Sequence, residues 1–184
     1  QLDVPVIGVA RSEWNRDDLI ARARESLATH GGVNEAAFAR LSAQLQYIQG
    51  DYQSADTYAR LKEALGSAQR PLHYLAIPPS LFDDVAQGLA ESGPATNARV
   101  VLEKPFGRDV ASAVELDNLL HRFFPEQSIF RIDHFLGKEP VQNLLYFRFA
   151  NRFLEPVWNR DHIDRIEITM AEKFGVTGRG KLYE

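Results

Sequence analysis

Arg131-Ile132-Asp133-His134-Phe135-Leu136-Gly137-Lys138-Glu139-Pro140 joins the end of a strand to the start of a helix. Ile129, Phe130 and Ile132 supply the strand's apolar content, and Pro140 suits a first helical turn, where a missing N–H is no loss. Val141, Leu144, Leu145 and Phe149 then recur at helical spacing. Asp133, His134 and Lys138 stand between the two elements. Free N–H groups and the positive end of the dipole make a helix N-terminus receptive to anions. An imidazole and an ammonium added there point to phosphate. The same residues also fit a plainer description, in which Asp133 caps the turn, His134 packs and Lys138 is solvated.

Upstream of this junction, strands and helices alternate. Residues 4–9 form an apolar run that predicts a buried strand followed by a loop. Asn15 is expected to cap a helix carrying Leu19, Ile20, Ala23 and Leu27, closed by Gly31-Gly32. Asn34 opens a second helix with Phe38, Leu41 and Leu45 on one side, and residues 45–48 predict a short strand. A third helix runs from about residue 54 to Gly66. Residues 71–77 predict another strand, stopped by Pro78-Pro79, and Ser80 is expected to cap the helix that turns Leu81, Phe82, Val85 and Leu89 inward. A strand at 98–102 precedes Glu103-Lys104-Pro105-Phe106-Gly107, and Asp109 caps a helix bearing Leu116, Leu119, Leu120 and Phe123. Such alternation implies parallel pairing through helical crossovers. From Arg165 the texture changes: residues 166–170 alternate apolar and polar, as in a sheet with one covered face.

Composition sets outer limits. The 184 residues, 45% hydrophobic and 25% charged, are enough for one large domain or one domain and part of another. A formal charge of -4 argues against general nucleic-acid affinity. Without cysteine there is no disulfide framework and no thiolate chemistry. No run approaches the length of a membrane span, and the first residues lack the basic and apolar regions of a secretory signal. No membrane partner and a cytoplasmic location are therefore expected. No set of carboxylates and histidines shows metal-ligand spacing, so no metal is expected.

The junction stretch resembles the signature of the glucose-6-phosphate dehydrogenase family, which usually has Tyr where this chain has Phe135. The likeness continues through Val141-Gln142-Asn143-Leu144, Arg148-Phe149-Ala150-Asn151-Arg152 and Pro156-Val157-Trp158-Asn159-Arg160-Asp161, and resumes at Phe174-Gly175-Val176-Thr177-Gly178-Arg179-Gly180. Val101-Leu102-Glu103-Lys104-Pro105-Phe106-Gly107 resembles a second family signature. The resemblance implies an α/β fold. Residues 1–133 would be a partial Rossmann-like dinucleotide-binding domain, its first strand and glycine-rich loop absent. Residues 134–184 would begin an α+β substrate and dimerisation domain.

The reaction so implied is oxidation of the C1 hydroxyl of glucose 6-phosphate to a lactone, with hydride passing to NADP. By resemblance, His134 and Lys138 contact the substrate phosphate, Lys104 stands near both substrate and nicotinamide, and Glu172 contacts sugar hydroxyls. Asp133 would orient a neighbouring side chain. Pro105 tolerates a cis bond, which would aim Lys104 inward. Arg11, at the end of the first strand, would pair with an adenosine 2′-phosphate, favouring NADP over NAD, and Phe82 would pack near the nicotinamide. The family's histidine general base falls beyond the matched stretch, and His30, His73, His121 and His162 fit structural or exposed roles better. The 184 residues alone are thus expected to be inactive, the complete protein a homodimer or homotetramer. The rival expectation is a truncated, non-catalytic paralogue that binds a sugar phosphate or a partner subunit.

Overall fold

The computed structural model describes residues 4–169, and its two compact units divide between Asp133 and His134. In the first unit β1 (Val6–Ala10) leads to α1 (Arg16–Thr29), α2 (Glu35–Gln44) and β2 (Leu45–Gln49). There follow α3 (Ala55–Leu65), β3 (Leu72–Leu75), α4 (Phe82–Glu91), β4 (Arg99–Glu103), α5 (Val110–His121) and β5 (Ile129–Ile132). Every strand pair is parallel: β1 with β2, β3 with β4, and β4 with β5. This is an α/β fold. Among the described residues the strands form two parallel sheets, β1-β2 and β3-β4-β5, with helices between successive strands as in doubly wound folds.

Short-range signals fix most boundaries. Asn15 accepts from the N–H groups of Asp17 and Asp18, while Asp18 accepts from the Asn15 N–H, closing a capping box. Asp109 and Ser112 do the same for α5. Ser80 does not act as the expected cap. Pro79 starts a 3₁₀ turn at Pro79–Leu81, so the N-cap position falls to Leu81, which makes no side-chain cap bond. Before α5, Gly107 adopts φ +132°, where a Cβ would lie 2.6 Å from the Ala113 nitrogen. Only glycine fits there.

The core lies where β4 crosses beneath α3, α4 and α5. Val100 and Leu102 of this central strand are fully buried, against Leu75 and Ile129 on the flanking strands. Phe82, Val85 and Leu89 of α4, Leu120 of α5 and Phe124 after it complete the cluster. Gly88 lets α4 approach α3 closely, since a Cβ there would meet the Tyr58 ring at 2.3 Å. The Tyr58 hydroxyl donates to the Tyr52 carbonyl at 2.5 Å, and burial, then Asp84, push its pKa up to about 12.

His73 on β3 is 9% exposed, and its Nε2–H donates to the Pro94 carbonyl at 2.9 Å. Burial lowers its pKa despite that bond. The neutral imidazole is therefore the folded form, and the unfolded chain binds more protons once the pH falls below the ordinary histidine value, about 6.5. The His73 contribution is complete above that value and is lost as the pH drops through the folded pKa. His73→Gln removes this titration. Urea titrations should show the stability gap between the two proteins narrowing from neutral to mildly acid pH; a constant gap would contradict the buried neutral ring.

In the second unit α6 (Glu139–Phe149) has Pro140 in its first turn, as its spacing predicts. None of its residues is buried: Leu144, Leu145, Tyr146, Phe147 and Phe149 are all more than half exposed. Phe147 packs edge-on to Trp158 at 6.0 Å, and the Arg148 guanidinium lies 5.0 Å from the Phe149 ring and 5.9 Å from that of Trp158. The alternation at residues 166–169 does not produce a strand, because no partner strand pairs with it among the described residues; Met170 lies outside them. No helix among the described residues is long and apolar enough to cross a membrane.

Candidate functional site

Within the first unit, parallel register brings Lys104 and Asp133 together. Glu103 on β4 lies opposite Ile132 on β5, so the next residues, Lys104 and Asp133, leave the same end of the sheet side by side. Lys104 Nζ stands 3.3 Å from Asp133 Oδ1, with the side chains 36% and 38% exposed. A pair this open adds at most about 1 kcal/mol of stability. Its value is orientation: the carboxylate holds the ammonium at the C-terminal edge of a parallel sheet, where open α/β folds bind ligands. The Lys104–Pro105 bond is cis. The Lys104–Asp133 contact spans 29 residues of sequence, and no local pattern announces it.

In the second unit, a turn at residues 134–138 precedes α6. The Gly137 N–H donates to the His134 carbonyl at 3.3 Å, and the Lys138 N–H to the Phe135 carbonyl at 3.1 Å. The helix N-terminus itself offers less to an anion than its sequence suggests. Pro140 has no N–H, and Val141 and Gln142 both donate to the Lys138 carbonyl at 3.0 Å. Attraction for an anion therefore rests on side chains. The His134 ring stacks on Phe135 with centroids 4.8 Å apart, and Lys138 Nζ lies 4.5 Å from the Phe135 centroid.

Arg11, at the C-terminal end of β1, is exposed and stands 3.4 Å from Asp51, which follows β2. Its guanidinium also lies 6.0 Å from the Tyr52 ring. Asp51 is far from Arg11 in sequence, and the parallel pairing of Ala10 with Gln49 brings the two loops together. Phe82 is 2% exposed. Its ring is a core side chain, packed in the cluster with Val85 and Leu120. Glu172 lies outside the described residues.

A further cluster was not anticipated from spacing. Asp117 and His121 on α5 gather with Glu126, their ligand-type atoms within 4.8 Å of one another. The Arg131 guanidinium bonds both carboxylates, reaching Glu126 Oε1 at 3.1 Å and also pairing with Asp117, while His121 Nε2 lies 3.0 Å from Glu126 Oε2. Arg131 holds the Glu126 carboxyl below its ordinary pKa. With a guanidinium already between the carboxylates, the cluster is an ion-pair network joining α5 to β5.

Parallel strands alternating with helices define an α/β fold of the doubly wound class, with Arg11 after β1 and the Lys104–Asp133 pair after β4 and β5 at the strands' C-terminal ends. Comparison with known proteins is more particular. Residues 1–143 match the family described as glucose-6-phosphate dehydrogenase, NAD binding domain, and residues 145–184 match that enzyme's C-terminal domain. The chain belongs to the glucose-6-phosphate dehydrogenase family.

The glucose-6-phosphate 1-dehydrogenase 1 of Mycobacterium tuberculosis is 46% identical over 183 residues, covering 100% of this chain and 39% of the relative. The cytoplasmic isoform of glucose-6-phosphate 1-dehydrogenase from Solanum tuberosum is 40% identical over 198 residues, covering 99% and 38%. The crystal structure of glucose-6-phosphate 1-dehydrogenase from Mycobacterium avium superposes with a TM-score of 0.83 at 46% identity, over 97% of this chain and 39% of that one. A glucose-6-phosphate dehydrogenase in complex with its substrate glucose-6-phosphate gives 0.72 at 40% identity, over 85% and 35%. The chain thus spans about two fifths of the length of the relatives it matches.

Proposed function

We propose that the natural polypeptide carrying this sequence oxidises glucose 6-phosphate to 6-phosphogluconolactone, with NADP as acceptor. The observation that carries this is the turn at residues 134–138, where an imidazole and an ammonium share one aromatic ring, within a chain of this family. His134 and Lys138 grip the phosphate, whose charge suits an ammonium and an imidazole. Lys104, steadied by Asp133, binds the sugar near the reacting carbon. Glu172 accepts from sugar hydroxyls.

The residues at the sheet's C-terminal edge fit a dinucleotide. Arg11 offers a guanidinium suited to a 2′-phosphate, and NADP is favoured over NAD on that ground, although Asp51 competes for the same donors. When bound, the nicotinamide would supply the acceptor for the C1 hydride; this chain's residues would hold the sugar so that its hydroxyl proton can pass to a base as C1–O becomes a carbonyl. Family resemblance puts that base outside this sequence. What these residues contribute is binding and orientation, and we infer that the 184 residues alone do not turn over. A cytoplasmic location and a homodimer or homotetramer are proposed on the same family grounds.

The test is a coenzyme-reduction assay on the natural polypeptide. It should reduce NADP with glucose 6-phosphate and, at equal concentration, barely with glucose, because the phosphate grip is then empty. Equal rates with the two sugars, or none with either, would refute the proposal.

A further inference from the structure

We propose that Phe135 is a positioning residue whose ring, rather than any hydroxyl, assembles the phosphate grip; this rests on the function proposed above. The ring is half-buried between the exposed side chains of His134 and Lys138. His134 stacks on it at 4.8 Å with planes 28° apart, and Lys138 Nζ sits 4.5 Å from its centroid. Both geometries fall within the range of favourable ring and cation–π contacts. Backbone geometry produces them. The Lys138 N–H bonds back to the Phe135 carbonyl at 3.1 Å, which folds the chain so that the lysine stem returns over the ring.

The consequence for binding is entropic and electrostatic together. A lysine has four rotatable bonds, and ordering it around an incoming anion costs conformational freedom. Held over a ring face, Lys138 is ordered beforehand. An ammonium has three N–H donors, so contact with a ring on one side leaves it able to donate to an anion on the other. The same ring fixes the His134 plane. Two donors are then placed together before a phosphate arrives, and the remaining donors of the helix N-terminus, reduced by Pro140 and by the bonds of Val141 and Gln142, are not needed.

Titration calorimetry on the natural polypeptide separates this from a structural role. Phe135→Leu, which keeps apolar bulk but removes the ring face, should weaken glucose 6-phosphate about three- to tenfold, the range of a partly exposed cation–π contact plus a stacked neighbour. NADP affinity should not move, and Phe135→Tyr should bind the sugar phosphate at least as well as Phe135. Unchanged or tighter binding in Phe135→Leu would overturn the proposal, since the ring would then be idle or a competitor. So would a parallel loss of NADP affinity, which would mark the ring as a support of the fold. Lys138→Ala measured alongside distinguishes the two levels: if it too leaves glucose 6-phosphate affinity intact, the phosphate site is wrong; if it alone weakens binding, only the platform is.

Discussion

Lys138→Ala in the natural polypeptide raises the Kd for glucose 6-phosphate about ten- to hundredfold and leaves that for NADP unchanged. A hydrogen bond to a charged group contributes about 1.5–3 kcal/mol, and each factor of ten in affinity is about 1.4 kcal/mol. The upper part of that range applies because the backbone supplies few alternatives: Val141 and Gln142 already bond the Lys138 carbonyl, and Pro140 has no N–H to give. NADP is spared because Arg11, not Lys138, is the proposed partner of its 2′-phosphate. Isothermal titration with each ligand in turn reads both numbers. Equal weakening of the two would mean that Lys138 supports the domain and does not hold the sugar phosphate.

The second large effect is on stability. Phe82→Ala should cost about 3–5 kcal/mol, a large share of the total for a domain of ordinary stability. The ring is 2% exposed at the start of α4, packed in the cluster that includes Val85, Leu102 and Leu120, and the helices around it cannot collapse fully into the space it leaves. Denaturant unfolding of the two proteins measures the cost. Phe82→Leu sharpens the meaning, because it retains most of the volume: a small loss of stability with unchanged NADP affinity fits a packing residue. A large loss of NADP affinity with little loss of stability would instead place the ring against the coenzyme.

Much of the fold is readable because it is written over short distances. Asn15 and Asp109 are caps whose partners stand three residues away, and Pro140 announces the first turn of α6. The apolar run around Val100 and Leu102 is that of a strand covered on both faces. Ser80 misleads because Pro79 begins a 3₁₀ turn, which moves the N-cap one residue on, to Leu81. Residues 166–169 form no strand among the described residues, and alternation gives one only where a neighbouring strand accepts its hydrogen bonds.

The site is legible in part, for the same reason. His134 and Lys138 declare themselves by chemistry within a turn. That Lys104 meets Asp133 depends on which residues of β4 and β5 face each other, and Arg11 meets Asp51 through the register of β1 with β2. Neither register is set by anything local. Phe135, read from sequence, is a tyrosine lacking its hydroxyl; the folded turn shows what the ring contacts. Arg131 looks like an ordinary strand residue until α5 brings Asp117 and His121 beside it.

The most direct measurement is a crystal structure of the natural polypeptide with glucose 6-phosphate bound. The phosphate oxygens should lie within about 2.7–3.2 Å of Lys138 Nζ and of an imidazole nitrogen of His134, with both side chains still resting on Phe135. A phosphate held elsewhere, with Lys138 and His134 turned into solvent, would contradict the assignment of this turn as the sugar-phosphate site.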